Sequence, residues 1–367
     1  MKVCYVRSYQ IDVDSRLKRY HASLARKNIE FMTLYWDRHC LGAKNPGEIP
    51  ISLPAKVGSG GGNGFSILRW QIKLLIELYK NRKNFDILHA VDFDSIIPAY
   101  IISRIFGKKI IFDIYDKYTD ARNISGFPRR CIDSIENYFC KNSDVLILAD
   151  ELRINQHGLD KGTDVNIIEN VPGIEIDYFP LPKEKPAILK VSYAGSLEHS
   201  HRGIENLLEC IARRSDVELN IAGFGALSDL CMEYSKKYKN IKFHGRVESQ
   251  VCLEIMRESH IIFGMYYKTI LNHLYAAPNK YYEHLVLGRP LVSTEGTPPG
   301  IKVDKYKTGW AIGESKESID KLLDEIKFNY SDVAIRGENA RSLWINKYKK
   351  IYSNEEFDEV YKKILIN

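Results

Sequence analysis

The sequence predicts an α/β protein built from two doubly wound parallel sheets, one in each half of the chain. Three observations carry that expectation. Short apolar runs alternate with amphipathic stretches from the first residues onward, the pattern left by parallel strands and the helices that cover both faces of their sheet. The alternation halts at the loop-like Glu169-Asn170-Val171-Pro172-Gly173 and a Pro-rich stretch over 179–186, then starts again. A length of 367 residues also exceeds one ordinary core and suits two domains of about 150 residues.

In the first half, strands are predicted over Lys2-Tyr9, Glu30-Trp36, Asp86-Val91, Lys109-Asp116 and Val145-Asp150, with helices at Ser15-Lys27 and Ser66-Asn81 between them. In the second half they fall at Leu189-Gly195, Val217-Gly223, Ile241-Gly245, Ile261-Tyr266, Pro290-Thr294 and Gly309-Ile312, with helices at Arg202-Arg214 and Ala226-Lys237. The predicted division is residues 1–172, a linker over 173–186, and a second domain over 187–344. In such sheets ligands bind beyond the carboxyl ends of the strands, and two facing domains make a cleft.

With 44% hydrophobic and 27% charged residues, the composition is that of a soluble globular protein. The longest apolar run, Ile96 to Phe106, is broken by Arg104 and too short for a bilayer, and Met1-Lys2-Val3-Cys4-Tyr5 opens a strand where a signal peptide needs an apolar core. A cytoplasmic location is expected. Seven scattered cysteines without C-x-x-C spacing read as reduced, not as disulfides or a zinc site.

The net charge of +6 is uneven: residues 1–170 hold 25 Lys and Arg against 20 Asp and Glu, residues 171–367 hold 28 against 27. Helix Ser15-Lys27 carries Arg16, Lys18, Arg19, Arg26 and Lys27 around Leu17, Tyr20 and Leu24, so it is expected to lie on an anionic leaflet, making the protein peripheral at the inner face of the cell membrane. The alternative is a solvated surface. No dense basic run with interleaved aromatics points to nucleic acid.

Two glycine clusters fall short of known phosphate loops. Val57 to Phe65, VGSGGGNGF, lacks a Gly-Lys-Ser/Thr ending and reads as a flexible loop at the cleft mouth. Gly223-Phe224-Gly225 follows a strand and opens a helix, but no acidic residue ends the next strand, which argues against a nicotinamide cofactor.

The stretch Ala277 to Val292, APNKYYEHLVLGRPLV, is the richest in chemistry. Pro278 suits the start of a short helix, Gly288 its end, and Pro290 bars continuation. Asn279, Lys280 and Glu283 then share one side, since residues three or four apart are neighbours, while Tyr281, Leu285 and Leu287 face the core. Free N–H groups, the positive helix end and Lys280 suit a diphosphate, and Glu283 suits a ribose diol. The alternative is a surface helix with a Lys280–Glu283 ion pair. Upstream, the strand ending at Gly195 and Ser196 leads to Arg202, a donor able to reach the same phosphates, with Gly223 closing the following strand. Arg246 and Val247, after a third strand end, offer backbone groups to a base edge.

These residues resemble the second domain of glycosyltransferases with the GT-B fold, most closely family 4 and its capsule and lipopolysaccharide relatives. The matching signals, in order, are Ala-Gly-Ser, Arg-Gly-Ile-Glu-Asn-Leu, Ile-Ala-Gly-Phe-Gly, Phe-His-Gly-Arg-Val and Pro-Asn-Lys-Tyr-Tyr-Glu-His-Leu-x-Leu-Gly-Arg-Pro-Leu-Val, across residues 190–295. The resemblance implies a nucleoside-diphosphate sugar as donor, with UDP as the expected nucleotide, and a closing helix, about 345–367, that crosses back to the first domain. Two positions depart from the family: Ser196 stands where it usually has Arg, and Tyr275 where it usually has Glu.

In the first half, the segment from Asp86 to Asp92 resembles the family strand that lines the acceptor side, a strand ending in His-x-His-acidic, with Val91 a further departure in place of the second His and Asp92 as its acidic match. Asp92 could orient or deprotonate an acceptor hydroxyl, or cap the helix that follows. Asp116 is the second catalytic candidate, preferred over Asp113, which should point into the flank of the sheet. His89 reads as a core histidine or an acceptor-side residue, and Tyr9 with 12–16, Asp14 included, as the acceptor-side loop. Asp92-Phe93-Asp94 has metal-binding spacing but lies away from the predicted phosphates, so no metal or other cofactor is expected. The reading is a hexosyltransferase acting on a saccharide or lipid-linked saccharide. Its rivals are a nucleotide-sugar 2-epimerase and a catalytically silent saccharide-binding subunit.

Overall fold

The computed structural model describes residues 1–11, 14–55, 64–160, 162–173, 176–349 and 361–362. The chain divides into two compact units, Met1–Glu169 with Asn354–Asn367, and Asn170–Ser353.

Among the described residues the first unit holds seven parallel strands: β1 (Lys2–Arg7), β2 (Glu30–Asp37), β3 (Glu48–Ser52), β4 (Ile87–Val91), β5 (Lys109–Ile114), β6 (Val145–Leu148) and β7 (Val165–Ile167). Their spatial order is β3-β2-β1-β4-β5-β6-β7. Side chains alternate across a strand, so in β1 Val3 and Tyr5 enter one core while Cys4 and Val6 enter the other. One core is anchored by Trp36 stacked on Trp70 at 5.3 Å; the other receives Leu17, Tyr20 and Leu24 from helix Ser15–Arg26.

The second unit holds β8 (Leu189–Ser196), β9 (Val217–Phe224), β10 (Ile241–Phe243), β11 (Ile261–Phe263), β12 (Leu291–Thr294) and β13 (Gly309–Ile312), in the order β10-β9-β8-β11-β12-β13. In each sheet the direction of strand addition reverses once, at β1/β4 and at β8/β11, which opens a crevice at the carboxyl ends of those strands.

The structure departs from the sequence reading in four places. Strands β3 and β7 were not anticipated: β3 contains Pro50, tolerated because it lies at the sheet edge, and β7 has only three residues. The units divide after Glu169, so 173–186 belongs with the second unit and is not a separate linker. Trp344 and Tyr348 pack in the second unit beside Tyr281 and Tyr282, so the closing segment up to 349 does not join the first unit. Beyond it, Tyr361 lies in the first unit, where its hydroxyl meets Tyr5 and His89; the rest of the expected closing helix lies outside the described residues.

The fourth correction removes helix Ser15–Arg26 from the membrane. Arg16 and Arg19 are buried, Arg16 against Asp113 at 2.9 Å and Arg19 against the carbonyl of Glu169 at 3.0 Å. Its apolar residues are core, so no leaflet can receive them. Among the described residues no helix is long and apolar enough to cross a membrane. Most of the glycine-rich loop, residues 56–63, and positions 12 and 13 of the expected acceptor-side loop lie outside the described residues.

Candidate functional site

In the second unit glycines lie near the ends of β8 and β9 and just beyond β10. Gly195 and Gly223 pair across β8 and β9 with φ of +150° and +151°, and the Gly223 N–H donates to the carbonyl of Gly245 at 2.8 Å. Such backbone angles favour glycine and leave the carboxyl edge open to close approach. Ser196 ends β8 exposed, its carbonyl accepting from the Tyr193 hydroxyl at 2.6 Å.

Lys280 stands over this edge, in the first turn of helix Asn279–Leu287. Its Nζ lies 3.9 Å from the centre of the Tyr193 ring and donates to the carbonyl of Phe263 at 3.4 Å. Its stem passes Gly264, where an added Cβ would stand 2.8 Å from Lys280 Cδ. Only 8% of Lys280 is exposed, and burial, reinforced by Arg202 and opposed by Glu283, pulls its pKa down to about 7. A lysine so placed is desolvated, and a neighbouring anion would favour its charged form.

Arg202 precedes helix Ile204–Ala212 and is aimed by two partners: its Nε donates to Glu198 at 3.1 Å, and its guanidinium lies 4.6 Å from the Tyr266 ring centre. Burial works against its charge, but Tyr266 and Glu198 outweigh it and raise the pKa. Glu283 lies one turn beyond Lys280, its pKa raised by burial against the pull of Lys280. Among the described residues no donor lies within hydrogen-bond distance of its carboxylate and Lys280 forms no ion pair, so the surface-pair alternative is not what this helix holds. Asn279 is exposed at the helix head. Arg246 is exposed after β10, its guanidinium 4.7 Å from the Phe224 ring centre, and Val247 packs half-buried beside it.

The fold thus gathers Gly195, Gly223, Lys280, Arg202 and Glu283 around one strand edge. Sequence reasoning missed Tyr193, Phe263, Gly264, Tyr266 and Glu198. The glycine directly after the apolar run Ile261-Ile262-Phe263 was the available signal for Gly264.

In the first unit Arg7, the last residue of β1, joins two carboxylates. Its Nε donates to Asp14 at 2.7 Å, and its Nη1 contacts Asp92, directly after β4. Asp92 also accepts from the Tyr115 N–H at 2.8 Å and makes no capping bond to the helix Phe93–Phe106 that follows. Its backbone sits at φ 60°, ψ 166°, a region that essentially only glycine occupies without strain. Burial pushes its pKa up to about 6, opposed by Arg7 and aided by Asp116. Asp14 caps helix Ser15–Arg26 by accepting from the Leu17 N–H at 2.9 Å.

Asp116 is half exposed and bonded to the buried Arg153 at 2.9 Å. Asp113 is wholly internal, as its expected direction required, and is held by Arg16, Tyr20 and His89. Although burial opposes it, the Arg16 guanidinium and His89 hold its pKa down at about 2. His89 is fully buried between Asp113 and the Tyr361 hydroxyl, and burial lowers its pKa, so it cannot touch an acceptor directly. Tyr9 is half-buried near Arg7 and Arg38. Asp92 and Asp94 each face an arginine, Asp94 meeting Arg122 at 2.6 Å, and among the described residues no cluster of three metal-ligating side chains occurs.

No family model and no curated protein sequence matches the chain. Solved structures do. Sucrose-phosphate synthase from Thermosynechococcus elongatus superposes with a TM-score of 0.74 at 12% identity, covering 100% of this chain and 99% of that one. HepE of Anabaena, solved in complex with UDP and glucose, gives 0.69 at 11% identity and 99% of both chains. The lipopolysaccharide outer core galactosyltransferase WaaB, in its apo form, gives 0.68 at 14% identity, with 98% of this chain and 100% of that one. At such identities the likeness is one of fold.

Proposed function

The chain has the GT-B fold, and from that premise we propose that it is a glycosyltransferase moving a hexose-type sugar from a nucleoside-diphosphate sugar, UDP being the expected nucleotide, to a saccharide or lipid-linked saccharide of the cell surface. The observation that carries this reading is the desolvated Lys280 above the open Gly195–Gly223 edge, with Arg202 and Glu283 around it. HepE, which shares the fold, is a protein solved with UDP, and that supports the choice of nucleotide.

On this reading Lys280, Arg202 and the helix head at Asn279 hold the diphosphate, and Glu283 accepts hydrogen bonds from the ribose. As the bond from the anomeric carbon to the diphosphate oxygen breaks, the cations stabilise the growing negative charge, the part a divalent metal takes elsewhere. A bond from the acceptor oxygen to the anomeric carbon forms, and the acceptor proton leaves to a base. Asp92 fills that role as a carboxylate at a strand end with pKa about 6, ionised at neutral pH. Asp116 lies in the same strand-end group, fixed by Arg153.

We propose that any contact with an anionic membrane uses a different helix from the one first expected. Helix Gly64–Asn81 exposes Phe65, Leu68, Ile72, Ile76 and Tyr79 along one stripe, interleaved with Arg69, Lys73 and Lys80. That pattern suits a leaflet interface.

The test is a thermal-shift panel of nucleotides, in which a ligand at a hundred times its dissociation constant stabilises by about 2.7 kcal/mol. UDP is expected to raise the melting temperature, and no shift with any nucleotide diphosphate would refute the donor site.

A further inference from the structure

Among the arginines near the carboxyl ends of the strands in the first unit, Arg7, Arg122 and Arg38 neighbour one another, and the first two are matched to carboxylates. Arg7 serves Asp14 and Asp92, and Arg122 serves Asp94. Arg38, directly after β2, is different. Its Nη2 donates to the carbonyl of Ser8 at 3.0 Å, its Nε is buried without a partner, and among the described residues it has no carboxylate in ion-pair distance. The guanidinium is nevertheless fixed in place, 4.1 Å from the Trp36 ring centre and 5.9 Å from that of Tyr9. Trp36 belongs to the core. Burial lowers the Arg38 pKa, Asp94 and Tyr9 oppose that, and Arg122 and Arg7 add to it. Asp94, whose field favours the Arg38 charge, is ion-paired with Arg122 and not with Arg38, so Arg38 is a half-buried charge held on aromatic faces.

A guanidinium held on aromatic faces, with no ion-paired carboxylate among the described residues, suits a two-oxygen anion, because a carboxylate or phosphate can accept two parallel bonds from such a planar donor. We propose that Arg38, with Arg122 beside it, forms an anion subsite at the ends of β1 and β2, so that the acceptor taken by the first unit carries a phosphate monoester or a uronate carboxylate. This rests on the glycosyltransferase reading and narrows its acceptor class.

Calorimetric titration of the full chain decides it, with glucose 6-phosphate, glucuronate and glucose as probes. Each is run with saturating UDP, which fills the phosphate groups of the second unit, and again without it. At least one anionic sugar is expected to bind and glucose is not, and which anion binds separates phosphate from carboxylate. Arg38→Gln should weaken that binding about tenfold or more, as for a lost charge-assisted pair. Arg38→Lys should restore part of it, since lysine keeps the charge and loses the planar fork. Equal behaviour of all three sugars, or the same anion affinity in Arg38→Gln, overturns the proposal. UDP binding is read in the same variants: UDP bound without anion discrimination refutes the subsite alone, whereas absent UDP binding refutes the donor reading and leaves the comparison of wild type with Arg38→Gln to judge the subsite.

Discussion

A Cβ added to Gly223 would stand 1.9 Å from the carbonyl oxygen of Gly195. The two strand ends therefore meet at a distance only glycine permits, and the clash is with backbone that cannot turn aside. Gly223→Ala should cost about 3 kcal/mol and abolish UDP binding. Gly245→Ala is the control: its Cβ would meet nothing within 4 Å, and only its φ of +65° opposes the change, so it should cost about 1–2 kcal/mol. Thermal melts of the two variants check the order.

Replacing Glu283 with Ala should weaken UDP binding about tenfold or more, the effect of losing charge-assisted hydrogen bonds worth roughly 1.5–3 kcal/mol. Because this carboxylate accepts no hydrogen bond from the described residues, the loss should appear in affinity with little change in melting temperature. Unchanged affinity by titration removes Glu283 from the site.

Lys280 makes UDP binding pH-dependent. Its pKa in the free protein is held down at about 7, mainly by burial, and a bound diphosphate restores the charged form. Above pH 7 binding must therefore take up a proton, and affinity should fall as pH rises through that value. Calorimetry at pH 8 in two buffers of different ionisation enthalpy should register that uptake. Identical heats in both buffers contradict it.

At Asp92 stability and activity should part. Gly normally destabilises relative to Ala, but φ 60° with ψ 166° is strained for any side chain by about 1–3 kcal/mol. Asp92→Gly should thus be more stable than Asp92→Ala, and both should lose transfer. In the wild type, transfer should rise with pH through about 6 as the carboxylate ionises. A more stable Ala variant would show that the backbone there is relaxed.

For the membrane, Ile72→Asp with Ile76→Asp on the exposed stripe should abolish salt-sensitive co-sedimentation with anionic vesicles. Equal recovery of the wild type with neutral and anionic vesicles would refute the contact.

How much was legible follows from how local each signal is. The strands that bury both faces write themselves as apolar runs, and the helix from Asn279 to Leu287 is bounded by Pro278 and Gly288, so both were readable. Edge strand β3, interrupted by Pro50, was not. The basic pattern of Ser15–Arg26 misled because a charge count is blind to a partner far along the chain: Arg16 meets Asp113. The same blindness hid Tyr193 and Tyr266, which aim Lys280 and Arg202 from other elements, and the lack of an ion pair at Arg38 among the described residues.

The central claim is sugar transfer from a nucleotide donor. The most direct test is to incubate the protein with a panel of UDP-sugars in the presence of chelator and follow the release of UDP. The account predicts release from at least one donor, undiminished by chelator and lost in Glu283→Ala and Asp92→Ala. No release from any donor, or release that stops in chelator and returns with magnesium or manganese, would contradict the account, the first its activity and the second its metal-free chemistry.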